Sequence, residues 1–506
     1  MKIIFTLLIF LFFTFNGQSQ FKNNIWCFGD SAGINFVNPN SPSTFITSVK
    51  SRGSCVSICD TNSNVLFYAY TRAGLAGNTT LVKDRNNNPM QNGTNVLGQG
   101  WYYELIIVPF PSDTNKYYLF SIGVSNSSPY GLYYSIIDMT LNNGLGAVTQ
   151  KNIQVNNMKA NDGLTAIQHG NGRDWWLLFR GVTTNLNNTY FKYLIDKNGV
   201  LLNDTQNIGS ITNIGFIKYS FDKTGNKLVM VYYNGLCETF DFDRCTGQLS
   251  NNVSVRPPTP VPPPIPEFWS CDFSPNGRFL YIATSGYYNA AYLIQVDLLN
   301  PLLYATADTI DSITGLESPG GQLKRGPDDK IYWSCAWIDS LGTWNYPYPN
   351  TPASFNMYNM NLSVINSPDS LGAACNFTPY SFYLGGARTY WGLPNNPDYD
   401  LGPLKGSPCD TLTLLTPALS KGEGVMQITY VAAWEKLFVN ASGLKGKNVT
   451  ITIYDGRGSL MFEVQSLKAV NGYFTLDLDC SGWAGGVYVV HLETEREVLS
   501  KKFIIE

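Results

Sequence analysis

The chain has 506 residues, with 34 Lys and Arg against 37 Asp and Glu, and charged residues make up only 14% of it. So balanced a charge, with no basic stripe, excludes a phosphate backbone as the natural partner, and no nucleic acid is expected. The length exceeds one ordinary core, while abundant Gly (46), Tyr (31) and Phe (28) suit turn-rich all-β structure.

Residues 1–20 read as a secretory signal peptide. Lys2 supplies the charged start, Ile3 to Phe15 the apolar run, and Gly17 and Ser19 the small residues of a cleavage site. The run is too short to span a bilayer and no second one follows, so an exported chain without a transmembrane anchor is expected from about Gln20 or Phe21. Export permits disulfides among the ten cysteines. Cys55 and Cys59 cannot pair if they share one strand. Cys237 and Cys245, which flank a strand-like run, are the candidate pair; buried free thiols are the other reading. No C-x-x-C pair exists to hold zinc.

From Asp60 onward one pattern recurs: a short strand, a turn rich in Asp, Asn and Gly, and a longer aromatic or β-branched strand. Its clearest copy is Cys271 to Ala283, where Pro275 fixes φ and Gly277 offers a positive φ. Other copies begin at Asp60, Asp113, Asn171, Asp222 and Gly326. The spacing, roughly 50 to 60 residues, is that of a β-propeller blade. With a degenerate copy near Asn376 to Tyr383, about seven blades are expected between residues 21 and 397. Runs such as Leu105-Ile106-Ile107-Val108 are apolar on both faces, as strands between two neighbouring sheets must be. Trp26-Cys27-Phe28 or Ile34-Asn35-Phe36 is expected to complete the blade made by the other end of the chain, removing an exposed edge. The proline-rich run Pro257 to Pro266 cannot join a ladder and reads as a stiff connection.

Residues 398–424 read as a linker, and 425–506 as a small immunoglobulin-like β-sandwich. Its strands include Leu437 to Val439, Val449 to Tyr454, Tyr473 to Leu478, Gly486 to Leu492 and Lys501 to Ile505.

Two family resemblances rest on these stretches. Val449 to Gly458, Ala484 to Val490 and the closing Lys501 to Ile505 resemble the type A sorting domain of the type IX secretion system of Bacteroidota, although Tyr430-Val431-Ala432-Ala433-Trp434 stands where that family has an Asn-Pro motif. This implies the secretion machinery as partner, with Gly485, Gly486, Tyr488, Lys501 and Lys502 in the sorting signal. The body resembles a propeller-like family of large secreted proteins of the same bacteria. The matching stretches are Gly131 to Met139, Gly144 to Val148, Phe240 to Gly247, Gly326 to Tyr332 and Gly392 to Asn395. The implied location is secreted or at the outer face of the cell.

Chemistry is sparse. His169 beside Asp162 is the one arrangement available to a Ser-His-Asp triad outside the sorting domain, against the plainer reading of a turn histidine. Asp241 with Asp243 and Asp328 with Asp329 lack a calcium-loop pattern and read as turn acceptors. No catalytic, cofactor or metal residue is assigned. Trp344, Tyr346 and Tyr348 lie where Gly342 and Pro347 interrupt any strand, and are expected to be exposed and to bind ligand. Asp-Ser or Asp-Thr followed by an apolar residue, as at Asp369-Ser370-Leu371, resembles the O-glycosylation signal of Bacteroidota. The expectation is a secreted surface binding or adhesion protein with a glycan or surface protein as partner. The alternative is a propeller glycoside hydrolase or lyase acting on polysaccharide.

Overall fold

The computed structural model describes residues 22–72, 79–98, 102–123, 130–182, 187–213, 215–255, 267–284, 290–300, 307–314, 320–336, 348, 350–410, 424–455 and 460–505. Among these, seven antiparallel sheets form a β-propeller. Blade 1 holds Ile25–Phe28, Asp30–Asn35 and Ser43–Lys50, and blade 2 holds Cys55–Cys59, Val65–Thr71 and Thr80–Asp84. Blade 2 is widened by bridges from Thr80 to Val96 and from Lys83 to Pro89. Blades 3 to 7 are four-stranded meanders whose innermost strands are Leu105–Phe110, Thr165–Gln168, Ile217–Phe221, Phe268–Phe273 and Leu323–Arg325. The strand Lys159–Ala160 adds to blade 4.

The repeated motif is the turn between the first and second strands of a blade. At Asp60, His169, Asp222, Ser274 and Gly326 the carbonyl accepts the N–H three residues on. That third residue has positive φ: Ser63 at 62°, Gly172 at 75°, Gly225 at 73°, Gly277 at 72° and Asp329 at 62°. Glycine or a short polar residue is needed there, because a larger side chain clashes in this region. The turns therefore fall on one face of the ring.

The expected count of seven is met, with one unit assigned differently. Phe377–Tyr383, taken as a degenerate seventh copy, is the outer strand of blade 7, and the missing blade is the N-terminal one. Among the described residues blade 1 has no innermost strand of its own. Ile25–Phe28 runs antiparallel to Cys55–Cys59, since Lys22 O accepts Cys59 N–H (3.3 Å) and Ile25 O accepts the Ser57 hydroxyl (2.8 Å). The vacant inner position is filled by the extended segment 389–397 from the far end of the propeller. Trp391 N–H donates to Arg52 O (3.2 Å), Asn395 N–H to Cys55 O (2.9 Å), and Trp391 O accepts Gln322 N–H (2.7 Å). The ring thus closes between blades 2 and 7, but the C-terminal end completes the N-terminal blade, the reverse of the expected donation. Trp26, Phe36 and Tyr332 seal the seam with edge-to-face contacts of 4.8 to 5.7 Å between ring centroids.

Residues 398–410, expected as linker, continue the same path over the propeller. Tyr399 Oη donates to Ile107 O (3.1 Å), Gly402 N–H to Gln168 Oε1 (2.7 Å) and Leu404 N–H to Gly170 O (2.8 Å). Cys409 then forms a disulfide with Cys245. The expected Cys237–Cys245 pair is absent: the strand Leu236–Phe242 separates those residues by on the order of 15 Å. Cys237 and Cys55 are buried free thiols, and Cys59 is buried at the far end of the strand it shares with Cys55. The proline-rich run lies outside the described residues.

Residues 424–505 build the expected sandwich. Val425–Val431, Lys436–Ser442 and Phe474–Asp479 face a four-stranded sheet of Leu460–Lys468, Asn448–Asp455, Gly486–Glu493 and Val498–Ile505. Leu437, Val439, Ile451, Val490 and Leu492 are buried in its core.

Candidate functional site

The axial segment divides the channel into two unlike ends. At one end Tyr102, Tyr103, Trp269, Tyr348, Tyr390 and Trp391 pack together, with the Arg52 guanidinium over the Trp391 ring at 4.6 Å. Asp162 holds this end together by accepting Tyr102 N–H (3.0 Å) and Tyr103 N–H (3.3 Å). Burial, with Asp162 nearby, pushes the Glu104 carboxyl well above the usual range.

Tyr348 is buried in this cluster at 6% exposure, its ring 4.7 Å from that of Tyr390 and 4.8 Å from the Arg388 guanidinium. It is therefore no exposed ligand platform. Trp344 and Tyr346 lie outside the described residues.

At the turn face a cavity of about 440 Å³ opens among the inner strands of blades 3 to 7, with residues of blade 1 at its side. Lys218 from Ile217–Phe221 and Lys324 and Arg325 from Leu323–Arg325 line its depth, with Asp272 of blade 6 and Asp398 and Asp400 of the axial segment. Lys218 Nζ donates to Asn395 Oδ1 (3.1 Å) and Lys324 Nζ to Asn396 O (3.0 Å). The two ammonium groups also sit 5.0 Å from the Tyr103 ring centroid and 5.6 Å from that of Trp26. Asp272 accepts Ser220 Oγ–H (2.7 Å) and Arg325 N–H (2.6 Å), which fixes three inner strands to one another. Across the rim, exposed Lys223 of blade 5 pairs with Asp329 of blade 7 at 2.7 Å.

Burial first, and then the Lys218 charge, brings the Lys324 ammonium down to about 7. Burial first, and then Asp398, pushes the Asp400 carboxyl up to about 7. The cavity thus holds a base and an acid that both titrate near neutrality, a feature concentrated at functional sites. Sequence reading missed it because its cations come from strands more than a hundred residues apart in the chain. Gly392 was legible as a motif residue, but its purpose was not: a Cβ there would lie 2.1 Å from Gly53 O, so only glycine lets the segment pass.

The other sequence candidates are accounted for by turns and ladders. His169 Nε2 lies 3.0 Å from Cys245 O, and Nδ1 accepts Asn171 N–H (3.0 Å). Asp162 precedes the strand Thr165–Gln168 and His169 follows it, so that strand holds them at opposite ends and no triad forms. Asp241 pairs with Lys227, Asp243 accepts Cys245 N–H, Asp328 accepts Tyr332 Oη–H, and Asp329 meets Lys223. Among the described residues no group of three or more His, Cys, Asp or Glu is placed to hold a metal.

In the sandwich, Gly486 pairs with Ile505 where the last two strands meet, and Gly485 precedes it. Tyr488 is buried, stacked on Phe503 at 5.4 Å, and its hydroxyl donates to Ala484 O (2.6 Å). Lys501 and Lys502 are exposed on the edge strand Val498–Ile505.

An all-β propeller followed by a sandwich with such an end is the architecture of an exported protein carrying its own address. Residues 433–506 match the secretion system C-terminal sorting domain, which places the protein outside the cell or on its surface by way of the type IX machinery. The match begins after the strand Val425–Val431, within the divergent stretch Tyr430 to Trp434. A search of curated proteins found no match. Among solved structures, the chain is similar to the periplasmic gluconolactonase PpgL of Pseudomonas aeruginosa, at 10% identity and a TM-score of 0.44, covering 73% of this chain and 98% of that one. It is also similar to a putative 6-phosphogluconolactonase of Bacteroides fragilis, at 10% identity and a TM-score of 0.43, covering 73% and 96%. The β-propeller domain of Myceliophteria thermophila Cps50 (Swd1) compares at 10% identity and a TM-score of 0.33, covering 62% and 93%. Likenesses this distant carry no inference about activity. No helix among the described residues is long and apolar enough to cross a membrane.

Proposed function

We propose that this is a surface-displayed binding or adhesion protein that takes its ligand at the turn-face mouth of the propeller. The observation supporting this is the cavity itself: its floor is the chain's own axial segment, anchored by Asn395 and Asn396, so it is a dead-end pocket and not a pore. Pockets of this size, with converging polar groups, are the usual form of a small-ligand site. A second reading has its own observation. Asp398 and Asp400 are neighbours of which one is pushed toward neutrality, the pattern of an acid paired with a carboxylate in glycoside hydrolysis.

Both readings meet in one pair of assays on the whole exported chain: a glycan array and a measurement of reducing-end release from the polysaccharides that bind. The binding reading expects retention without release. Sugar release that disappears in Asp400→Asn would establish the enzyme instead.

A further inference from the structure

Resting on the binding reading, we infer that the cavity's occupant is a hydroxylated anion, the uronate end of an acidic saccharide. The two lysines at its depth are the first ground. Lys218 is only 7% exposed, Lys324 is half-buried, and each makes its hydrogen bond to a neutral amide oxygen of the axial segment. Neither Lys218, Lys324 nor Arg325 forms an ion pair within 4.0 Å among the described residues, although every blade around them carries aspartates in its turns. Asp272 acts on both ammonium groups and Asp398 on Lys324, but from beyond ion-pair distance, so a close counter-charge is left to be supplied. A carboxylate entering the cavity supplies that charge, and each ammonium keeps further N–H groups for it beyond the one given to the axial segment.

The remaining wall argues for hydroxyl groups on the same ligand. Asp272, Asp398, Asp400 and Asn23 present acceptors and amides around the cations. Asp272 is already filled by Ser220, Phe273 and Arg325, so a ligand's hydroxyl groups meet Asp398 and Asp400, each of which accepts a backbone N–H on Oδ1; a hydrophobic acid offers them no donor. A sugar acid satisfies both sets. The closed floor adds a restriction: a polymer cannot thread the axis, so the site takes a chain end or a short oligosaccharide.

Calorimetry on the whole chain, with trigalacturonate and the neutral galactotriose as probes, tests this directly. Trigalacturonate is expected to bind at least tenfold more tightly, to be competed by free glucuronate and not by glucose, and to lose at least tenfold in affinity in Lys324→Met or, should that variant not fold, in Arg325→Ala. Equal binding of the two trisaccharides overturns the anionic class while leaving the binding reading intact. So does failure of trigalacturonate when the glycan array returns a neutral ligand. If neither probe binds and the array is also blank, the binding reading falls with it.

Discussion

At the centre of the ring one amide, that of Asn395, stands where four elements meet. Its nitrogen lies 3.2, 3.0 and 2.9 Å from the carbonyls of Tyr103, Leu105 and Leu164, while its oxygen accepts the Lys218 ammonium. Asn395→Ala takes the acceptor from the Lys218 ammonium and the amide donor from Leu105 O and Leu164 O, while Tyr103 O keeps Leu164 N–H, at a cost of about 1–3 kcal/mol for each group stranded. A fall of about 3 kcal/mol or more in unfolding free energy is expected, read from denaturant melts. The titrating pair makes a second prediction. Lys324, faced by Lys218, Asp272, Arg325 and Asp398, has its proton affinity lowered from 10.5 to about 7. Between those values the unfolded chain binds more protons, so this group makes stability rise with pH. Asp400, faced by Asp398 and Lys22, is raised from 3.8 to about 7. Between those values the folded chain binds more protons, so this group makes stability fall as pH rises. Together they place a shallow stability minimum near neutrality. Melting temperatures from pH 4 to 10 are expected to show the acidic limb flattened in Asp400→Asn and the alkaline limb in Lys324→Met.

Among the elements, the turns were the most legible, because each needs a positive φ that only a few residue types accept at low cost. Gly225 and Gly277 announced their blades for this reason. Blade 1 was not legible as a blade, since its first two strands, Ile25–Phe28 and Asp30–Asn35, meet at Gly29 alone and its inner edge comes from segment 389–397. The continuation of that segment, residues 398–410, reads as a linker because it forms no ladder. Its order comes instead from side-chain amides and a disulfide whose partner lies 164 residues away. Tyr348 was misjudged for a related reason: Pro347 and Gly342 argue against a strand in the sequence, but Tyr348 itself packs against Tyr390 and Arg388 at the channel end. The disulfide is the element most open to test. Cys409→Ser frees the end of the axial segment, and loss of a native disulfide typically costs about 2–5 kcal/mol. The variant is expected to melt earlier than the parent under oxidising conditions and to match it once both are reduced.

For the whole molecule, propeller and sandwich have separate cores and separate tasks. The last strand, Val498–Ile505, is the edge of its sheet and buries Leu499, Phe503 and Ile505 inward; Lys501 lies on that same face with its ammonium donating to Met426 O, and Lys502 turns outward. Removal of residues 495–506 deletes that edge and is expected to leave a protease-resistant propeller retained in the periplasm. Normal amounts of the truncated chain at the surface would contradict the sorting role of this strand. The central claim, that ligand binds at the turn-face mouth, is tested most directly by hydrogen exchange on the whole chain with and without the saccharide that binds best on the array. Protection is expected in residues 217–223, 323–329 and 395–401, the strands and axial turn that line the cavity. Protection confined to the aromatic end around Tyr102 and Trp391, or to the outer strands of the blades, would contradict it.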